Sequence, residues 1–260
     1  MLFLALLVST TADARRPVAR ITVVYDNLLW LDSAGNPAAE GLTTDWGFSA
    51  LVETQAANVL FDTGTHAGTL LANMEALGLD PAAVDAVVLS HRHTDHTGGL
   101  AALLALPSPP EVFPLAGFSR SVPAEVRHTV FGADTVAGGV MTTGPVEGPL
   151  PEQALVVPTG NGPVVICGCS HPGADRMAAA AADVCGAPPV LLMGGFHMGG
   201  ATAAESKDLA SRIEVLGVQS VAPSHCTGQT ARAALADAFG DGFCGGGLGW
   251  SFRVEGRTAH

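Results

Sequence analysis

The chain has 260 residues, with 12 Lys+Arg against 24 Asp+Glu and a formal net charge of −12. That length bounds it to one large domain or two small ones, and 48% hydrophobic with 14% charged residues excludes disorder by low hydrophobicity. The acidic balance argues against a nucleic-acid partner, because phosphate backbones bind Lys- and Arg-rich surfaces.

Residues 2–8 form a short apolar run, followed by Ser9-Thr10-Thr11 and the small-x-small site Ala12-Asp13-Ala14. This pattern predicts a secretory signal peptide over residues 1–14, cleaved after Ala14, although no Lys or Arg precedes the apolar run. It is too short to span a bilayer, and no later stretch is long and uninterrupted enough to do so. The mature protein is therefore expected in the periplasm or outside the cell. A cytoplasmic protein with a start codon set too far upstream is the alternative. Cleavage removes Asp13 alone among the charged residues, leaving −11, and residues 15–260 read as a single domain.

The mature chain opens with a strand over residues 19–27, and residues 46–52 and 58–61 read as two more, linked as a hairpin. Asp62-Thr63-Gly64 breaks the pattern, and residues 70–77 have helical spacing. A short buried strand over 85–89 precedes a His-rich loop and a helix from about Gly99 to Leu106. Residues 107–151 are rich in Pro and Gly, with a strand near 111–115 and then an irregular insertion. Strands follow over 153–157 and 163–167, a helix over 175–184, a strand over 190–193 and a helix over 203–216. A strand over 219–222, a helix over 227–239 closed by Gly240, and a strand over 248–254 complete the chain. Early strands followed by strand–helix alternation fit two packed sheets covered by helices.

Five cysteines, at 167, 169, 185, 226 and 244, show neither a disulfide framework nor paired C-x-x-C units. Cys167 and Cys169 read as sharing a strand face, and Cys167 to Cys185 is a possible disulfide in an exported protein.

The chemistry is concentrated in Ser90-His91-Arg92-His93-Thr94-Asp95-His96-Thr97-Gly98-Gly99, four potential metal ligands within six residues at the end of a buried strand. His91 and His93 can clasp one ion, and Asp95 and His96 can turn to a second. His171 and His225 each follow a strand, where functional residues of an α/β scaffold collect. Together they complete a pair of sites. Imidazole and carboxylate suit Zn, with Fe and Mn compatible, and one or two Zn2+ ions are expected. Asp62 is placed to accept a ring N–H from a ligand histidine, with a simple Asx turn as the alternative. Asn27, at the end of the first strand with Asp26, reaches the pocket or merely closes a turn. Glu152 reads as structural. Cys169 and Cys226 read as small buried residues rather than ligands. His66, His128 and His260 belong to no motif.

H-x-H-x-D-H with later single ligands resembles the metallo-β-lactamase fold superfamily. A narrower resemblance rests on Tyr25-Asp26-Asn27, Trp46-Gly47-Phe48-Ser49, Leu60-Phe61-Asp62-Thr63-Gly64, Leu89-Ser90-His91, Glu152-Gln153-Ala154-Leu155, Gly168-Cys169-Ser170-His171, Gly194-Gly195-Phe196-His197 and His225-Cys226-Thr227-Gly228. These motifs look like the subfamily that includes the archaeal dihydropterin-methyl-ribofuranosylaminobenzene-phosphate synthases of methanopterin biosynthesis. The resemblance implies a four-layer αββα sandwich with metals at one edge. It implies a first site of His91, His93 and His171 and a second of Asp95, His96 and His225. Many superfamily hydrolases carry an Asp or Cys where this chain has Phe196, so the resemblance implies a weakened or missing second metal. It leaves His197 as an extra ligand, a proton donor or a hydrogen-bond donor to substrate.

The reading that follows is a metal-dependent hydrolase acting on an ester, lactone, phosphoester or amide of a small molecule, with Asp95 and His197 as catalytic residues. Group transfer like that of the pterin synthase is the main alternative. A β-lactamase and a non-catalytic metal-binding protein are others. A diiron redox role is disfavoured because His93 stands where such relatives have Glu, and a ribonuclease is disfavoured by the charge.

Overall fold

The computed structural model describes residues 17–118 and 122–255. The expected signal segment 1–14 and His260 lie outside the described residues. The chain begins with an antiparallel meander of β1 (Pro17–Tyr25), β2 (Ser49–Thr54) and β3 (Asn58–Phe61). Helix α1 (Ala67–Ala76) then crosses to β4 (Ala86–Val88), which lies parallel to β3. Two short helices, α2 (Thr94–Thr97) and α3 (Leu100–Leu104), lead to β5 (Glu111–Phe113), parallel to β4.

The second sheet starts with β6 (Asp134–Ala137), β7 (Val140–Thr142), β8 (Leu155–Val157) and β9 (Val164–Cys167), each antiparallel to the one before. It continues in parallel through α4 (Ala174–Cys185), β10 (Leu191–Gly195), α5 (Ala203–Val215) and β11 (Ser220–Ser224). Helix α6 (Gln229–Phe239) then returns the chain to β12 (Ser251–Glu255), which pairs with β1 in the first sheet. The sheet orders are β12-β1-β2-β3-β4-β5 and β11-β10-β9-β8-β7-β6.

The period-two alternation of side chains along each strand sorts the apolar residues into three cores. Val23, Val52, Phe61 and Val88 meet Leu155, Ile166, Met193 and Ala222 between the sheets. The next residue along the first sheet faces the other way: Val24, Leu60 and Val87 pack under Leu70, Met74, Leu100 and Leu103. On the second sheet, Val165, Leu192 and Val221 pack under Met177, Ala178, Leu209, Ile213 and Leu235. Helix, sheet, sheet and helix make the αββα sandwich that the sequence implied.

Parallel strands deliver their carboxyl ends to one edge, and the loops after β4, β9, β10 and β11 converge there. Gln153 ties the sheets at that edge. Its buried amide Nε2 donates to Leu89 O at 2.8 Å and Phe113 O at 2.9 Å, and its Oε1 accepts from Thr142 Oγ1 at 2.5 Å.

Two local expectations need correction. The insertion is less irregular than its composition suggests, because β6 and β7 form a hairpin within it. Its turn is Gly138-Gly139, with φ of 57° and 82°, the positive values that a tight hairpin turn demands and Gly supplies freely. The cysteines are all free. Cys167 ends β9 facing the helices, while Cys169 lies past the strand at the functional edge, so they do not share a face. No helix among the described residues is long and apolar enough to cross a membrane.

Candidate metal centre

The converging loops bring His91, His93, Asp95, His96, His171 and His225 into one cluster. The ring centroids of His91 lie 4.7 Å from His93, 4.2 Å from His96 and 4.6 Å from His171, and His96 is 5.1 Å from His225. The backbone is bent hard to achieve this. Asp62, Ser170, His197 and His225 have φ of 57°, 62°, 50° and 46°, and they are the non-glycine residues with positive φ among those described. Such conformations cost on the order of 1–3 kcal/mol each and persist where surrounding contacts hold them. All four stand at this edge.

Each deeply set histidine has its Nδ1 occupied from behind. His91 Nδ1 donates to Ser90 Oγ at 2.8 Å, and Ser90 Oγ donates in turn to Asp62 Oδ2 at 2.7 Å. His96 Nδ1 donates to the same Asp62 oxygen at 2.7 Å. His171 Nδ1 donates to Glu152 Oε2 at 2.9 Å, and His225 Nδ1 to Asn27 Oδ1 at 2.8 Å. With the proton fixed on Nδ1, each Nε2 presents a lone pair toward the centre. His93 instead turns its Nδ1 inward, 3.1 Å from His91 Nε2.

The donor set fits a cation. Burial, followed by the charge His96 would carry, pushes the His91 pKa down to about 2, and burial with His225 pushes His96 down to about 3. Both rings are neutral at any ordinary pH, the state a metal ligand requires. His225 Nε2 is buried without a hydrogen-bond partner, and such orphaned groups are rare in folded proteins. Asp95 Oδ2 lies 3.5 Å from that nitrogen and 3.6 Å from His96 Nε2. Donors held about 2.0–2.1 Å from one tetrahedral ion stand roughly 3.3 Å apart, so these spacings suit zinc. Burial also drives the Asp62 carboxyl well above its ordinary pKa, against the N–H and O–H of Ser90, with anionic Glu152 and Asp95 nearby. A cation in the centre relieves that cost.

Two residues read differently from the sequence expectation. Glu152 is fully buried and organises the His171 loop. Its Oε1 accepts from the N–H groups of Cys169 and Ser170, both at 2.8 Å, and its Oε2 from His171 N at 3.0 Å and His171 Nδ1. Burial opposes its ionisation, but those bonds and the proximity of His91 hold its pKa down to about 2. Glu152→Gln is therefore expected to weaken metal binding about 10–100-fold in a competition titration, because the carboxylate no longer orients His171.

The second is Cys169. Its sulfur lies 3.2 Å from His96 Nε2, and it joins two groups of donors, Asp95-His96-Cys169-His225 and His91-Cys169-His171. Phe196 turns its ring into the core beneath the helices and cannot ligate, as its chemistry dictates. Cys169 and Cys226 are both buried, as the sequence reading expects, and Cys169 also stands in the middle of the donor cluster, where its sulfur could serve as a further donor. The signal in the sequence is Gly168-Cys169-Ser170-His171, where the chain leaves β9 at Cys167 and turns toward the cluster.

The remaining candidates lie around the rim. His197 is exposed, its ring 4.3 Å from His171, and burial and His171 hold its pKa below the ordinary value. Trp46 is 54% exposed and its ring is 4.9 Å from that of His225. A cavity of about 500 Å³ opens beside Asn27, Trp46 and His225, and one of about 340 Å³ lies beyond Arg92, lined by Leu115, Phe131 and Pro151. His66 and His128 stand away from the centre, paired with Asp45 and Glu111 at 2.6 Å each.

The fold places the chain among known relatives. The chain belongs to the metallo-beta-lactamase superfamily, whose sequence model matches residues 46–194. It is 26% identical over 253 aligned residues, 76% of this chain and 86% of the relative, to the 7,8-dihydropterin-6-methyl-4-(beta-D-ribofuranosyl)-aminobenzene-5'-phosphate synthase of Methanocaldococcus jannaschii. Among solved structures, a metal-dependent hydrolase of the beta-lactamase superfamily aligns with a TM-score of 0.74 and 27% identity, over 91% of this chain and 99% of its own. The metallo-beta-lactamase fold protein YhfI from Bacillus subtilis shares the fold, with a TM-score of 0.62 and 16% identity over 92% of this chain and 100% of its own.

Proposed function

We propose that the protein is a metal-dependent hydrolase that directs water at an ester, lactone, phosphoester or amide of a small molecule. The observation that carries this reading is the histidine cluster, in which His91, His96, His171 and His225 each have Nδ1 tied back and Nε2 aimed into a shared space beside Asp95. His91, His93 and His171 would hold one ion, and Asp95, His96 and His225 a second. Zinc is the preferred metal on donor type. A bound ion of this kind lowers the pKa of water from 15.7 toward about 7 and polarises an oxygen of the substrate.

The chain's own residues supply the rest. Asp95, with 19% of its side chain exposed, lies at the mouth of the centre, where it can orient the attacking water and accept its proton. His197, neutral at pH 7, offers a ring N–H to the substrate from the rim. The neighbouring cavities, about 340 and 500 Å³, match the volume of small-molecule sites rather than polymer grooves. With a net charge of −12, nucleic acid is a poor partner. The segment 1–14 supports export, and the mass of the mature chain in a secreting host tests that.

The likeness to a superfamily hydrolase at 27% identity supports the hydrolytic reading. The 26% identity to the archaeal synthase over 76% of this chain favours a second, group transfer to an activated aromatic or phosphorylated substrate. A panel of phosphodiester, lactone and cephalosporin substrates, run with and without chelator, separates them. Chelator-sensitive hydrolysis of one class is expected. Hydrolysis that persists without metal removes the proposal, and silence across the panel moves the transfer reading to the front.

A further inference from the structure

The second donor group lacks a donor from the end of β10. That strand closes with Gly194-Gly195 and passes to Phe196, whose side chain is 2% exposed in the helix-side core. The space is not empty. A Cβ on Gly195 would stand 2.8 Å from Cys226 Sγ and 3.2 Å from Cys169 Cα. The missing side chain on one strand is matched by two thiols brought in from the neighbouring loops.

Those thiols differ. Cys226 Sγ is directed at the Cys169 carbonyl, 3.7 Å away, and belongs to neither donor group. Cys169 is 4% exposed, and its backbone N–H is fixed on Glu152 Oε1. Its sulfur is the donor common to both groups, in each of which the ligand atoms lie within 4.8 Å of one another. The Glu152 carboxylate thus sets two donors at once: it orients the His171 ring and holds the backbone that carries Cys169.

We propose that Cys169 is the ligand shared by the two halves of the centre, a thiolate in place of a carboxylate. This deepens the metal-centre reading above and rests on it. A thiolate has lone pairs enough to face two cations, as a carboxylate does with two oxygens. When it ligates, the S–H bond breaks, the proton passes to solvent, and the electron pair stays on sulfur to form the metal bond. No oxidant or reductant takes part. A central sulfur also biases the site toward zinc and away from manganese or magnesium, which prefer oxygen donors.

Cobalt(II) substitution tests this without reference to turnover. The wild-type protein loaded with cobalt is expected to show a near-ultraviolet thiolate-to-cobalt charge-transfer band. C169S and C169A should lose the band and bind the second equivalent at least roughly tenfold more weakly. C226S should keep both properties. C169D, which returns an oxygen donor to the same place, should recover the second equivalent without the band. Should the Cys169 variants fail to fold, the wild type and C226S decide: the band must be present and equal in both. A band that survives C169S and C169A, or that disappears in C226S, overturns the proposal. So does a wild-type protein that takes up cobalt without the band, and in that case the metal-centre reading stands. A wild-type protein that takes up no cobalt overturns both.

Discussion

Asp95→Asn is expected to lower turnover by about 10²–10⁴-fold while the protein remains folded. The two side chains are nearly the same size, and Asp95 sits in the first turn of α2, where a short polar residue is well tolerated. Its backbone carbonyl, which accepts from Phe48 N at 3.2 Å, is untouched by the change. What changes is the charge of the oxygen facing His96 and His225 and its ability to accept a proton. The effect should fall on kcat more than on KM, with the melting temperature nearly constant. Wild-type turnover in the variant would remove Asp95 from the chemistry.

Stripping the metal is expected to be the other large effect, on stability as well as activity. The centre gathers five imidazoles, those of His91 and His96 buried and neutral, with a buried glutamate and two further acids, and without a cation their lone pairs and charges confront one another. A ligand that binds only the folded chain stabilises it by about 2.7 kcal/mol at 100 times its Kd. For a chain of this length that corresponds to roughly 5–10 °C in melting temperature. Calorimetry of chelator-treated protein, before and after zinc is restored, reads the shift. Equal melting temperatures in both states would mean the cluster holds no ion.

Much of this centre is legible in the sequence because its determinants are local. His91, His93, Asp95 and His96 fall within one loop, and His171 and His225 each follow a short apolar strand. The helices that cover the sheets were equally readable from their periodicity. What escaped depends on contacts distant in sequence. Glu152 matters through the N–H groups of a loop 17–19 residues away, and nothing around it distinguishes that role from a polar strand start. Cys169 is hard to place from sequence because its direction depends on the turn that follows the strand. Because β9 stops at Cys167, the chain turns and the thiol swings to the centre. The hairpin of β6 and β7 was hidden by Pro- and Gly-rich surroundings, although Gly138-Gly139 is the turn it needs.

Asp62 and Asn27 show the same division. Each lies in what reads as turn chemistry, and each also holds a histidine ring across the fold. Asp62 meets a partner 34 residues away and Asn27 one 198 residues away. The pairing of β3 with β4 brings Asp62 to His96, and the packing of the two sheets brings Asn27 to His225.

The most direct test of the metal centre is elemental mass spectrometry on protein purified without added metal, followed by turnover assays on the same sample. Bound zinc, approaching two equivalents, is expected, with turnover that falls with metal on chelation and returns when zinc is restored. Protein that stays metal-free after reconstitution, or that turns over equally well when stripped, would contradict this expectation.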